Sequence, residues 1–139
     1  MALPVSIHKV ENNTDRRKLA VFPWKIYKDD PLWVPPLIPD RMSVLDPNNG
    51  PFFKRGAAES WLAKRGNESV GTICAAEDTF TIEHTGRKDC VFGFFDFVED
   101  YEVYCKLIET ALEWGRRRKL VQMNGPFNLD YENGYGVLI

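Results

Sequence analysis

Two short stretches of this chain carry the residues best suited to chemistry. Asp96 is the only charged residue in Val91-Phe92-Gly93-Phe94-Phe95-Asp96-Phe97-Val98, an otherwise apolar run. An unpaired carboxylate in such surroundings is costly to bury, so Asp96 must face an opening or a basic partner. Burial raises a carboxyl pKa toward the working range, where Asp96 could orient or deprotonate an amine. A strand-end ion pair with Arg or Lys accounts for it equally. The second stretch is Asn128, Asp130, Tyr131 and Glu132, just after Gly125-Pro126. Its polar groups suit a substrate loop, or a plain loop in which Asn128 caps backbone N–H groups.

Other constellations point away from common chemistries. Glu99-Asp100-Tyr101-Glu102 stands where a phosphate-binding helix start would offer glycines, and it offers three carboxylates instead. Arg116-Arg117-Arg118-Lys119 reads either as an anion-binding patch or as a solvated helix end, where cations meet exposed carbonyls. Cys74, Cys90 and Cys105 are odd in number and form no C-x-x-C pair, which fits reduced thiols in a cytoplasmic protein. With only His8 and His84 besides, no metal site is expected. No G-x-S-x-G or Cys/His arrangement suggests covalent catalysis.

These residues must be placed by strands and helices. The aromatic run at Val91 to Val98 suits a strand buried on both faces, and Gly93 marks a bulge or a close backbone approach. Tyr101 to Lys119 has helical spacing, with Tyr104, Leu107, Ile108, Ala111 and Leu112 as the core stripe. Val121 to Phe127 reads as another strand. A strand, crossover helix and strand imply a parallel pair. Upstream, Val5 to Val10 alternates as a half-buried strand, and Asn12-Asn13-Thr14-Asp15 caps a helix from near Arg16. Pro23 predicts a kink or restart in that helix, which ends at Asp29-Asp30-Pro31. Leu32 to Pro36 is extended, and a short helix spans Pro36 to Leu45 with Leu37, Ile38, Met42 and Leu45 on one side. Trp24, Tyr27 and Trp33 either line a groove for an acyl chain or pack the N-terminal segment onto the sheet. Phe52-Phe53 plug the core edge. Glu59 to Arg65 and Ser69 to Ala76 form a hairpin turning at Gly66-Asn67. Asp78 to Asp89 reads as a polar hairpin connection.

At 139 residues with a net charge of −2, the chain has the size and composition of one globular domain, residues 1–139. The charge argues against nucleic acid as a partner. No apolar run is long enough for a transmembrane segment, and Met1 to Val10 lacks a signal-peptide core. A soluble, cytoplasmic protein is expected.

The order of elements resembles the first two-thirds of the GCN5-related N-acetyltransferase fold, the acyl-CoA N-acyltransferase superfamily. Four ordered motifs resemble its bacterial ceramide synthase-like branch. They are Asp30-Pro31-Leu32-Trp33-Val34-Pro35-Pro36-Leu37, Leu45-Asp46-Pro47 with Pro51-Phe52-Phe53, Phe92-Gly93-Phe94-Phe95, and Gly125-Pro126-Phe127-Asn128. The resemblance implies an α+β fold, with a central mixed sheet and helices on both faces. The C-terminal strands of that fold are expected to be missing, so the chain reads as a truncated domain. It implies an acyl-CoA-dependent N-acyltransferase with acyl-CoA as co-substrate and a small-molecule amine as acceptor. A non-catalytic module that binds a ligand or partner is the rival. The backbone of Phe95, Asp96 and Phe97 would hold the pantetheine arm, and Asp96, Asn128 and Glu132 are the candidate catalytic residues. The chain departs from the superfamily's glycine-rich pyrophosphate turn at Val98 to Val103. A missing strand would leave an apolar edge, so a homo-oligomer is expected, with contacts at Met123, Phe127, Tyr135 and Val137 to Ile139.

Overall fold

The computed structural model describes residues 3–129. Strands β1 (Val5–Lys9), β2 (Gly56–Arg65), β3 (Glu68–Asp78), β4 (Asp89–Phe97) and β5 (Gln122–Asn124) form one sheet in the order β1-β2-β3-β4-β5. The first three junctions are antiparallel. The β4–β5 junction is parallel, as the crossover argument requires. Helices α1 (Asn13–Tyr27) and α2 (Ile38–Leu45) cover one face, and α4 (Tyr101–Arg117) covers the other. This mixed α+β arrangement agrees with an acyl-CoA N-acyltransferase-like fold.

Each face has its own core. Under α4, Val103, Leu107, Ala111 and Trp114 meet Trp61, Ala63, Ile73, Ala75 and Cys90. The buried stripe is thus rotated from the expected one, and Tyr104 sits at its margin, 37% exposed. The rings of Phe95 and Phe97 fill that margin, 6.0 and 5.5 Å from Tyr104. Under α1 and α2, Leu19, Leu45 and Phe52 meet Leu62, Cys74, Ala76 and Phe94. Cys74 and Cys90 are free, buried thiols whose pKa values desolvation pushes up to about 12 and about 11. They pack as small apolar groups and make poor nucleophiles.

Several local expectations change in the folded chain. Asn12 does cap α1, accepting from Asp15 N–H at 2.8 Å. The helix runs without a restart through Pro23, because Phe22 and Pro23 are buried against the sheet and this packing offsets the lost backbone bond. It ends at Tyr27, ahead of the Asp29-Asp30-Pro31 cluster. On α2 only Leu45 is buried, while Leu37 is 68% exposed in front of it. The hairpin turn falls at Gly66-Asn67, where Gly66 takes a φ of 60°. The polar connection after β3 contains a helix, α3 (Thr79–Thr85), started by the Asp78 side chain accepting from Thr81 N–H. The expected polar connection thus holds a helix because Asp78 is an N-cap residue. Finally, β5 covers only three of the seven residues expected in that strand.

Candidate active site

The short β5 creates the site. It pairs with β4 only at Asp89, Cys90 and Val91, and then the chain turns at the cis Gly125-Pro126 bond. Phe127 N–H still donates to Phe92 O at 2.8 Å, and beyond that the two segments part. Among the described residues, no strand pairs with Phe95 to Phe97 on the side away from β3. Backbone donors and acceptors are thereby left facing the opening.

A bulge sits at the point of divergence. Cys74 pairs with Gly93 and Thr72 with Asp96, so Ile73 alone opposes Phe94 and Phe95. Phe94 takes a left-handed φ of 45°, a strained state for a bulky residue. Two side chains hold it there. Thr72 Oγ1 donates to Phe94 O at 2.7 Å, and Asn128 Oδ1 accepts from Phe94 N–H at 2.8 Å. Gly93 permits the approach, since a Cβ there would fall inside the Phe127 carbonyl.

The bulge decides where Asp96 points. Simple alternation from Cys90 and Phe92 would put Asp96 among the apolar residues beneath α4. The extra residue flips the phase, so Phe95 and Phe97 pack with the α4 core. Asp96 emerges on the opposite face, in a cavity of about 160 Å³ with Tyr27, Trp33, Arg41, Phe94 and Asn128. An adjoining cavity of about 520 Å³ shares Arg41, Phe94 and Asn128 and is lined further by Leu37, Val44 and Pro51. Together they form one cleft between α2, the end of α1 and the opened edge of β4.

Asp96 is held by a side chain that the sequence did not assign to it. Tyr27 Oη donates to Asp96 Oδ1 at 2.8 Å. Burial raises the Asp96 pKa, opposed by the Tyr27 hydrogen bond and the Arg41 charge. Burial, the Asp96 charge and the shared hydrogen bond together raise that of Tyr27, which keeps its proton. Tyr27 and Trp33 line the cleft with their rings 5.7 Å apart, and Trp24 packs edge to face against Trp33 at 5.1 Å. Arg41 donates from Nε to Ala20 O at 3.1 Å and lies over the Phe94 ring at 4.8 Å. Arg41 belongs to no motif in the sequence. Its only signal was an arginine on a short helix beside a proline-rich loop.

Of the predicted residues, Asp96, Phe95 and Phe97 lie together on the opened stretch of β4. Asn128 reaches the same place and does cap a backbone N–H, but one on β4 rather than in its own loop. Glu132, with Asp130 and Tyr131, lies outside the described residues. The acidic start of α4 is closed from within the chain. Asp100 caps it by accepting from Glu102 N–H at 3.0 Å, and Arg65 Nη2 reaches Asp100 at 2.6 Å and Glu102 at 3.1 Å. At the other end, Arg118 pairs with Glu77 at 2.5 Å and lies over Trp114, as a solvated helix end does. A separate cavity of about 420 Å³ by Lys9, Arg16 and Glu59 holds none of the predicted site residues. The described residues contain no cluster suited to a metal ion and no helix long and apolar enough to cross a membrane.

The chain is 33% identical over 128 residues to protein YghO of Escherichia coli (strain K12), covering 92% of this chain and 33% of that protein. It is 32% identical over 136 residues to the bacterial ceramide synthase of Caulobacter vibrioides (strain NA1000 / CB15N), covering 97% of this chain and 35% of that protein. The chain therefore spans about a third of the length of these relatives. No family model and no solved structure matches it.

Proposed function

We propose that this chain forms part of a cytoplasmic N-acyltransferase of the acyl-CoA N-acyltransferase superfamily, passing an acyl group from acyl-CoA to a small-molecule amine. The observation that carries this reading is the opened β4 edge, where Phe95 to Phe97 have no strand partner on the side away from β3 among the described residues and the half-buried Asp96 faces the cleft. The likeness to a protein named a ceramide synthase supports an acyltransferase-type activity. An extended amide-bearing arm, such as the pantetheine of CoA, can add to that edge as a strand would.

The amine nitrogen attacks the thioester carbonyl, forming a C–N bond. Backbone N–H groups on β4 stabilise the oxyanion that develops. The oxyanion collapses and breaks the C–S bond. An acceptor bound as ammonium first loses one proton through ionised Asp96 to solvent. After attack the proton left on nitrogen passes to Asp96 and from there to the departing thiolate, so an amide, the free CoA thiol and one proton leave. Tyr27 orients Asp96 for this transfer, and Asn128 holds the bulge that aims it. No enzyme-bound acyl intermediate is needed.

One observation favours a second reading, a non-catalytic module that binds a ligand or partner. The α4 N-terminus, where a pyrophosphate would sit, is occupied by Asp100 and Arg65. Thiol release from acyl-CoA, with and without a panel of amines, separates the two. Amine-dependent release that is lost in Asp96→Asn supports the transferase. Ligand binding with no release by wild-type protein supports the module.

A further inference from the structure

Arg41 has an unmet need inside the cleft. Its Nη2 is buried and has no hydrogen-bond partner among the described residues. A buried charged donor left unsatisfied is costly, more so than a neutral one. The guanidinium cannot easily turn away, since Nε is anchored on Ala20 O and the plane rests over Phe94. Asp96 lines the same cavity and acts on Arg41 through its charge, yet no ion pair joins them among the described residues. Asp96 is instead engaged by Tyr27. The inner cavity thus holds one anionic group and one cationic group, each on a different wall and each with bonding capacity left for a ligand.

We propose that this cleft recognises an amine that also carries a carboxylate, an acceptor of the amino-acid type, with Asp96 taking the ammonium and Arg41 the carboxylate. Charge balance favours this class. A simple alkylammonium would add a net positive charge beside Arg41, and a phosphate dianion would add a net negative charge beside Asp96. A zwitterion keeps the desolvated site neutral. The guanidinium fork also matches a planar carboxylate. Asp40 and Ser43 line only the outer cavity, and the exposed Asp40 is screened by water. The inner volume of about 160 Å³ suits a headgroup, and the outer 520 Å³ with Leu37, Val44 and Pro51 suits an apolar side chain. The inference rests on the acyltransferase reading only for what happens to the amine after it binds.

Three matched probes test it on the 139-residue chain by calorimetry at neutral pH. Norleucine carries both charges, pentylamine lacks the carboxylate and hexanoate lacks the amine. Norleucine is expected to bind about tenfold or more tighter than either, a difference of about 1.4 kcal/mol. Arg41→Gln should abolish the preference, weakening norleucine and tightening pentylamine, which no longer meets the guanidinium charge. Asp96→Asn should weaken norleucine and pentylamine but not hexanoate. Equal binding of norleucine and pentylamine by wild-type protein overturns the proposal, as does no binding of norleucine. That comparison needs no variant, so a misfolded Arg41→Gln does not protect the idea. Norleucine binding without any thiol release, at acyl-CoA concentrations where calorimetry shows the donor bound, leaves this proposal standing and removes the transferase. Acyl transfer to both amines at equal rates does the reverse.

Discussion

Asp96 sits in the cleft with its pKa raised, because desolvation outweighs the Tyr27 hydrogen bond and the Arg41 charge. The folded state therefore holds this proton to a higher pH than the unfolded chain, whose aspartates titrate at about 3.9. Stability from this group is fully present below the unfolded pKa and is lost as pH rises through the folded one. Asp96→Asn stays neutral throughout, so it is expected to melt above wild type at neutral pH, with the gap closing toward pH 4. Identical melting curves from acid to neutral pH would contradict this. Catalysis runs the other way. The rate needs the carboxylate, so it falls as pH drops through the raised pKa, and Asp96→Asn loses about 10²- to 10⁴-fold. Asn128 offers a separate check. Asn128→Ala frees the Phe94 N–H at a strained residue and is expected to cost about 1–3 kcal/mol in urea denaturation. An unchanged midpoint would mean that the bulge does not depend on this bond.

The elements that place these residues are a bulged strand and an acid-capped helix. At the start of α4, Arg65 meets Asp100 and Glu102, and the Asp100 pKa is lowered first by its hydrogen bond with Arg65. One cation thus faces three carboxylates once Glu99 is included, and the helix start keeps a negative bias. Weak or absent CoA binding by this chain is the expected outcome. Calorimetry should show affinity rising several-fold in Glu99→Gln with Asp100→Asn. Micromolar CoA binding that the double variant leaves unchanged would defeat the electrostatic argument. On β4, Gly93→Ala is expected to destabilise by about 1–3 kcal/mol, because the new methyl has no room beside the Phe127 carbonyl. A neutral effect would show that the loop after β5 moves freely.

Across the whole molecule the exposed apolar groups are unevenly spread. Leu32 and Val34 are 88 and 84% exposed on the segment after α1, Leu37 is 68% exposed at the cleft, and Val121 is 75% exposed beside β5. Among the described residues β5 is the last strand of the sheet, and unpaired edges of this kind recruit other chains. Self-association is expected, with Met123 and Phe127 at the contact. Tyr135 and Val137 to Ile139, assigned to the same contact, lie outside the described residues. Light scattering at low micromolar concentration should show a dimer or larger species. A monodisperse monomer would rule out this use of the edge.

The element types and the parallel β4–β5 pair were legible from periodicity and capping, because Val91 to Val98 and Tyr101 to Arg117 each bury one pattern against a fixed partner. The aromatic strand also announced Asp96 as a residue needing an outlet, and Gly93 as a place where something comes close. The face on which Asp96 emerges was not legible. It depends on one extra residue in β4, and a phase shift of that kind is written in the pairing with Ile73 rather than in the strand itself. Tyr27 and Arg41 lie 69 and 55 residues before Asp96 in sequence, and neither has a local pattern that marks it. Apart from α3 and the end of β5, the sequence by itself determined which segments become strands and helices, since those choices rest on neighbours within a turn or two. Only the tertiary structure decided which polar side chains share a cleft, because packing of α1 and α2 across the sheet sets those distances.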